Sequence, residues 1–87
     1  MSGVRESEVE AFVVERVLQV HRRNGGRLDA IDLDQELFAP AFLLDSLDLA
    51  EIVAAIEGKY GFSPFENQMT IRNWRQIVTA IVAHNAG

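Results

Sequence analysis

Apolar residues recur at the spacing of an α-helix in three segments of this chain, and this repeat restricts the fold more than any other feature. Residues three, four, seven or eleven positions apart share one face of a helix, so each segment predicts a helix with one buried face. The helices are predicted over 7–23, from Asp45 or Ser46 to Tyr60, and over about 73–85. The apolar stripes are Val9, Phe12, Val13, Val17 and Val20; Leu49, Ile52, Val53, Ile56 and Tyr60; and Trp74, Ile77, Val78, Ile81 and Val82.

Capping signals give the expected ends of these helices. Ser7 and Glu10 have the spacing of a capping box, and Asn73 and Gln76 have the same spacing at the start of the last helix. The run Asn24-Gly25-Gly26 is predicted to end the first helix, because Asn and Gly tolerate the left-handed conformation of a C-cap.

The connection over 27–44 is apolar for a loop, and Pro40 separates it from the second helix. We expect this loop to be held across the helices rather than to extend into solvent. Its acids, Asp32, Asp34 and Glu36, lack the central Gly and terminal Glu of a calcium loop, so they are interpreted as solvated carboxylates. The apolar residues of the loop are Leu28, Ile31, Leu33, Leu37, Phe38, Phe42, Leu43 and Leu44.

After the second helix, which Gly61 is expected to end, residues 66–69 are predicted to form one short helical turn. Trp74 is expected to anchor the core, where its indole nitrogen would need a hydrogen-bond partner. Residues 1–87 are therefore predicted to form a single all-α domain. The architecture is a small up-and-down helical bundle with three main helices, a short helix before the last and a long first loop.

Composition narrows the functional classes. A net charge of −5 and a pI near 4.8 argue against nucleic acid as a partner and favour basic protein surfaces. The chain has no cysteine, so it forms no disulfide and has no thiol of its own. The first residues lack an apolar signal core, and no apolar run approaches the length of a membrane span. We therefore expect a cytoplasmic protein that does not insert into membranes.

Ser46 is the residue that most suggests a function. It lies at the predicted start of an acidic, amphipathic helix that has no basic residue until Lys59. A phosphate ester there would be favoured by the free backbone N–H groups and the positive end of the helix dipole. Ser46 could instead be only a helix cap. Asp45, with Asp48 three residues on, could already cap this helix and leave the Ser46 hydroxyl free.

Leu47, Ala50 and Ala54 form a second, smaller apolar strip on the same helix. Apolar contacts flanked by carboxylates are typical of a docking face. The alternative is that Leu47 and Ala50 only widen the buried face.

These residues resemble the acyl carrier protein family over nearly the whole chain, most closely from Asp45-Ser46-Leu47-Asp48 to Tyr60-Gly61-Phe62. The family pattern is an Asp-Ser-Leu triplet, then acids and aliphatic residues, and an aromatic residue near a glycine. Three departures are visible. Ala54 occupies a place where larger apolar residues are frequent. Leu43 stands where a glycine is often found, three residues before the serine, and Gly58 and Lys59 replace part of the acidic end of the helix.

The resemblance implies that Ser46 carries 4′-phosphopantetheine, transferred from coenzyme A by a separate phosphopantetheinyl transferase. The protein would be a phosphoprotein that carries acyl groups as thioesters in fatty acid, polyketide or related biosynthesis, and not an enzyme. A monomer is expected, with no catalytic or metal-binding residue. Its other partners would be acyl- or aminoacyl-loading and processing enzymes with basic docking surfaces. The expected contact residues are Asp45, Leu47, Asp48, Glu51, Ala54 and Glu57.

Two alternatives remain beside this interpretation. The Leu-Leu-Asp-Ser run is also similar to discrete carriers that load amino acids, so an aminoacyl or peptidyl carrier of a specialised pathway is one. An unmodified helical interaction module using the same acidic face is the other. A metal or catalytic site is not favoured, because His21 and His84 are far apart and are expected to be surface or cap residues.

Overall fold

The computed structural model describes residues 5–65 and 70–85, and within these ranges every regular element is helical. The α-helices are α1 (Glu6–Arg23), α2 (Ser46–Tyr60) and α3 (Trp74–Asn85), and a turn of 3-10 helix covers Pro40–Phe42. The same ranges contain no strand beyond one isolated bridge. None of these helices is both long and apolar enough to cross a bilayer. The predicted all-α fold is confirmed, while the short helix predicted at 66–69 lies outside the described residues.

α1 does not begin at its predicted cap. Arg5 is the N-cap residue, and its side chain makes no capping hydrogen bond. The carbonyl of Arg5 already accepts a hydrogen bond from the N–H of Glu8 at 3.0 Å, so Ser7 lies inside the first turn. A helical Ser7 cannot serve as the N-cap, because the cap residue has an extended backbone. The capping box predicted for Ser7 and Glu10 is therefore wrong.

α3 begins as predicted. The side-chain oxygen of Asn73 accepts from the N–H of Gln76 at 2.9 Å, and the Gln76 side chain accepts from the N–H of Asn73 at 3.4 Å. Trp74 follows and is fully buried, which confirms that it anchors the core. Its indole N–H has no hydrogen-bond partner within the described part of the chain. The partner expected for this group is therefore not seen.

α1 is the central helix, because it packs against both α2 and α3. α1 and α2 are antiparallel, since Arg23 at the end of α1 contacts Asp48 at the start of α2. Near the start of α1 and the end of α2, the rings of Phe12 and Tyr60 form a T-shaped pair, with centroids 5.6 Å apart. Each large apolar side chain in the core contributes about 1.5–3 kcal/mol through burial. The most deeply buried apolar residues are Val9, Val13, Val17, Phe42, Ile52, Ile56, Trp74, Ile77, Val78 and Ile81.

The loop between α1 and α2 is held against the bundle, as predicted. Leu33, Leu37 and Phe42 are buried in the common core. Backbone hydrogen bonds also join the loop to the start of α3, from the N–H of Leu37 to the carbonyl of Arg72 at 3.0 Å and from the N–H of Arg75 to the carbonyl of Leu33 at 2.9 Å. The loop therefore approaches α2 along a fixed path.

Candidate functional site

α2 begins at a reciprocal capping box formed by two aspartates. Asp45 is the N-cap, and its side chain accepts from the N–H of Asp48 at 2.9 Å. The Asp48 side chain accepts in return from the N–H of Asp45 at 3.1 Å. Ser46 is the first helical residue and is exposed, and its hydroxyl makes no hydrogen bond to residues 5–65 or 70–85. Ser46 is thus not the helix cap, and its hydroxyl faces solvent.

Leu43, three residues before Ser46, has a left-handed backbone conformation with φ 58° and ψ 36°. This region costs a residue with a side chain about 1–2 kcal/mol. The side-chain amide of Asn24 donates to the carbonyl of Leu43 at 2.7 Å, which helps to hold the conformation. Glycine would adopt this conformation without strain. The Leu43 side chain is 47% exposed beside the candidate site.

The apolar strip on α2 lies at the surface. Leu47 is 79% exposed, and Ala50 and Ala54 are exposed as well. The alternative that Leu47 and Ala50 widen the buried face is therefore wrong. Together with Leu43, Leu47 places an exposed apolar side chain on each side of Ser46 in the sequence.

Asp48, one of the expected contact residues, is largely buried. The residue is only 9% exposed, because the end of α1 covers it. Its carboxylate accepts from Asn24 at 2.9 Å and from Arg23 at 3.3 Å, in addition to the backbone of Asp45. The hydrogen bond from the Asp45 N–H, supported by the Asn24 and Arg23 bonds, lowers the pKa of Asp48 below its ordinary value. Asp48 thus joins α1 to α2.

Glu51 is also bound within the molecule. Arg23 donates to both of its carboxylate oxygens, at 3.0 Å and 2.8 Å, in a bidentate pair. The hydrogen bond from Arg23 lowers the pKa of Glu51, and its side chain remains 55% exposed. Sequence reasoning missed Arg23 as part of this site. The local signal is weak, since Arg23 lies 28 residues from Glu51 in the sequence.

The remaining predicted docking residues are exposed on α2. Asp45, Ala54 and Glu57 are all at the surface. Within residues 5–65 and 70–85, neither Asp45 nor Glu57 forms an ion pair. The acidic face therefore has two kinds of carboxylate: Asp48 and Glu51 are held by Arg23, whereas Asp45 and Glu57 have no cationic partner among the described residues.

His21 is buried, with 2% of its surface exposed, so its expected place at the surface or at a cap is wrong. One ring nitrogen, Nδ1, lies 2.9 Å from the carbonyl of Phe42, and the other, Nε2, lies 3.0 Å from the N–H of Leu28. These partners require Nδ1 to donate and Nε2 to accept, which is a neutral ring. Gly26 packs on the imidazole so closely that a side chain there would clash. His84 is exposed, as expected.

His21 joins the end of α1 to both ends of the loop that precedes α2. It is thus a structural residue. No group of three or more potential metal ligands occurs in the part of the chain that the structure describes.

The start of α2 thus combines an exposed serine hydroxyl, a helix cap supplied by other side chains, and a fixed approach through Leu43. Flanking it are exposed apolar residues and carboxylates. No family model, curated protein or solved structure matches the chain.

Proposed function

We propose that this protein is an acyl carrier protein. It holds acyl intermediates as thioesters on a 4′-phosphopantetheine arm at Ser46 and shuttles them between enzymes of fatty acid, polyketide or related biosynthesis. The observation that carries the proposal is that Asp45 caps α2, while the adjacent Ser46 hydroxyl is exposed and free of hydrogen bonds to the described residues. A serine that served as the cap would have its hydroxyl occupied by the backbone.

The surroundings of Ser46 fit a phosphopantetheine ester. Its Oγ lies at the start of a 15-residue helix, where the dipole favours a phosphate group. The arm supplies the thiol that this cysteine-free chain lacks. Ser46 would be the hydroxyl that accepts the group, so the chain is a substrate and a carrier rather than an enzyme. Docking of the carrier would raise the effective concentration of its cargo at a partner's active site.

We propose the fold, the location and the partners of this carrier as well. The fold would be a four-helix bundle with a short helix before α3, and the protein would be a cytoplasmic monomer. Its partners would be a phosphopantetheinyl transferase and acyl- or aminoacyl-processing enzymes with basic docking surfaces. Exposed carboxylates would steer these partners, and individual surface pairs would add only about 0–1 kcal/mol each, so docking would be fast and weak. The residues proposed to contact partners are Asp45, Leu47, Glu51, Ala54 and Glu57, with Asp48 holding the start of α2.

Intact mass after incubation with coenzyme A, magnesium and a broad-specificity phosphopantetheinyl transferase tests this function. We expect one phosphopantetheine increment on the wild type and none on Ser46→Ala. Ser7→Ala is the matched control, because Ser7 is also an exposed serine in the first turn of a helix, and it should be modified like the wild type. Circular dichroism should show that both variants remain folded.

An increment on Ser46→Ala would show that the site is assigned wrongly. The absence of an increment on folded wild-type protein, with several transferases, would favour the unmodified interaction module. If the arm is attached, the loaded carrier can be offered to acyl-transferring and to amino-acid-activating enzymes. A preference for the second class would favour the aminoacyl carrier.

A further inference from the structure

Arg23, the last residue of α1, binds two acids of α2 at once: Glu51, which lies on the proposed docking face, and the largely buried Asp48. It forms the bidentate pair with Glu51 and also contacts Asp48 at 3.3 Å. The arginine comes from a different helix, so it is not part of the acidic pattern that α2 shows in sequence. One positive charge therefore lies against Glu51, an acid that a basic partner would otherwise meet, and beside the Asp48 carboxylate.

We infer that Arg23 is a positioning residue that reduces the negative charge of the docking face and fixes Glu51, so that a basic partner is recognised mainly through Asp45, Glu57 and the apolar strip. This inference rests on the carrier function proposed above. The partner addressed is the basic-surfaced transferase that modifies Ser46.

The charge of Arg23 affects the rate at which a basic partner associates with the docking face. Attraction between opposite charges speeds association, and the rate falls as salt screens the field. A cation bound to Glu51 and Asp48 weakens that field at the site where the partner approaches. A basic side chain of the partner must also share carboxylate oxygens that Arg23 already occupies. Since the Arg23 side chain is 54% exposed, the pair is open to solvent, and a partner can compete for it.

Removing Arg23 should leave the Ser46 site assembled. The Asp48 carboxylate keeps its hydrogen bonds from Asn24 and from the Asp45 backbone, and the capping box does not use Arg23. Asn24 also keeps its bond to the carbonyl of Leu43. An effect of the substitution on partner recognition can therefore be separated from a loss of the helix start.

The test compares Arg23→Gln with Arg22→Gln. Both lower the net charge by one unit and remove an arginine from the last turn of α1, but Arg22 is directed to Asp29, at 4.0 Å, and to the carbonyl of Leu28. The kcat/KM for loading by the transferase is measured from about 20 mM to about 500 mM ionic strength. At low salt we expect Arg23→Gln to load roughly threefold to tenfold faster than the wild type, with the difference lost at high salt.

Arg22→Gln should stay within about twofold of the wild type, because Arg22 contacts Asp29 and Leu28 rather than an acid of α2. Arg23→Lys keeps the charge and should also stay within about twofold. Equal salt dependence of Arg23→Gln and Arg22→Gln would overturn the inference.

A second readout does not depend on loading. NMR titration of the Glu51 carboxyl should show its pKa rising toward the ordinary value in Arg23→Gln and unchanged in Arg22→Gln. An unchanged Glu51 titration in both variants would overturn the inference by itself. A wild type that no transferase loads would instead overturn the proposed function, so the two failures are distinct.

Discussion

The starts of α1 and α2 have related sequences but different structures. In each, a residue able to cap a helix is followed three positions later by an acid, Ser7 with Glu10 in α1 and Asp45 with Asp48 in α2. Only the aspartates form the reciprocal box, whereas α1 begins at Glu6, after an N-cap residue, Arg5, whose side chain makes no capping hydrogen bond. The spacing of a capping box is therefore insufficient to predict where a helix begins.

The difference lies in tertiary contacts. Asp48 is held from outside its own helix by Asn24 and Arg23, and these bonds fix the carboxylate that completes the box. Ser7 is exposed in the first turn of α1, with no such support from the described residues. The α2 cap is thus a product of the packing of two helices as well as of local sequence.

The strongest test of this comparison is Asp48→Ala. It leaves the N–H of Asp45 without its acceptor and the side-chain amide of Asn24 with only the Leu43 carbonyl, and we expect the melting temperature to fall by roughly 10 °C. Thermal unfolding followed by circular dichroism measures the change. Glu51→Ala is the control, because it also removes an acid bound to Arg23 but none of the cap, and should shift the midpoint by less than about 3 °C. Equal falls in melting temperature for the two variants would show that the capping box contributes little to the stability of the fold.

Asp45→Ala should have the next largest effect. The Asp48 N–H loses its side-chain acceptor, but the carboxylate of Asp48 keeps its contacts with α1. Loss of an N-cap costs about 1 kcal/mol, which corresponds to a melting temperature lower by roughly 6 °C. Asp45→Asn retains an acceptor and should recover most of this loss in calorimetry. An alanine variant as stable as the wild type would contradict the role assigned to Asp45.

The bound carboxylates predict acid sensitivity. The pKa of Asp48 is lowered in the folded state, chiefly by the N–H of Asp45, so its contribution to stability is present above its unfolded pKa of about 4. That contribution is lost as the pH falls through the lower, folded value. Urea unfolding at several pH values should show a steeper loss of stability below pH ~4 in the wild type than in Asp48→Asn. Parallel curves would contradict this assignment.

Ser7→Ala should have the smallest effect, since Ser7 does not cap α1. We expect a change in melting temperature within about 3 °C, as for most exposed positions. A loss as large as that of Asp45→Ala would mean that Ser7 stabilises the helix start after all. The two alanine variants, measured side by side, thus test the comparison directly.

The sequence predicted what depends on local periodicity. The three α-helices, the cap of α3 at Asn73 and the burial of Trp74 followed from spacing along one segment. The attachment of the first loop to the bundle followed from its apolar composition. These features depend on which residues are apolar and how far apart they are, and a single chain shows both directly.

The contacts between helices could not be predicted in this way, because the register of α1 against α2 is set by packing of the whole core. Arg23 and Asn24 therefore reach Glu51 and Asp48 without any local signal. The burial of His21, in contrast, did have a local signal in the sequence. His21 follows Val13 and Val17 at four-residue spacing, on the buried face of α1. This spacing predicts that His21 is buried.

The packing of Gly26 against His21 has a consequence for how this sequence can diverge. A side chain at position 26 would occupy the space of the imidazole, and a smaller residue at position 21 would give up its bonds to Leu28 and Phe42. A substitution at only one of these two positions is therefore expected to destabilise the fold. In descendants of this chain we expect the two positions to be inherited as a pair and replaced, if at all, together.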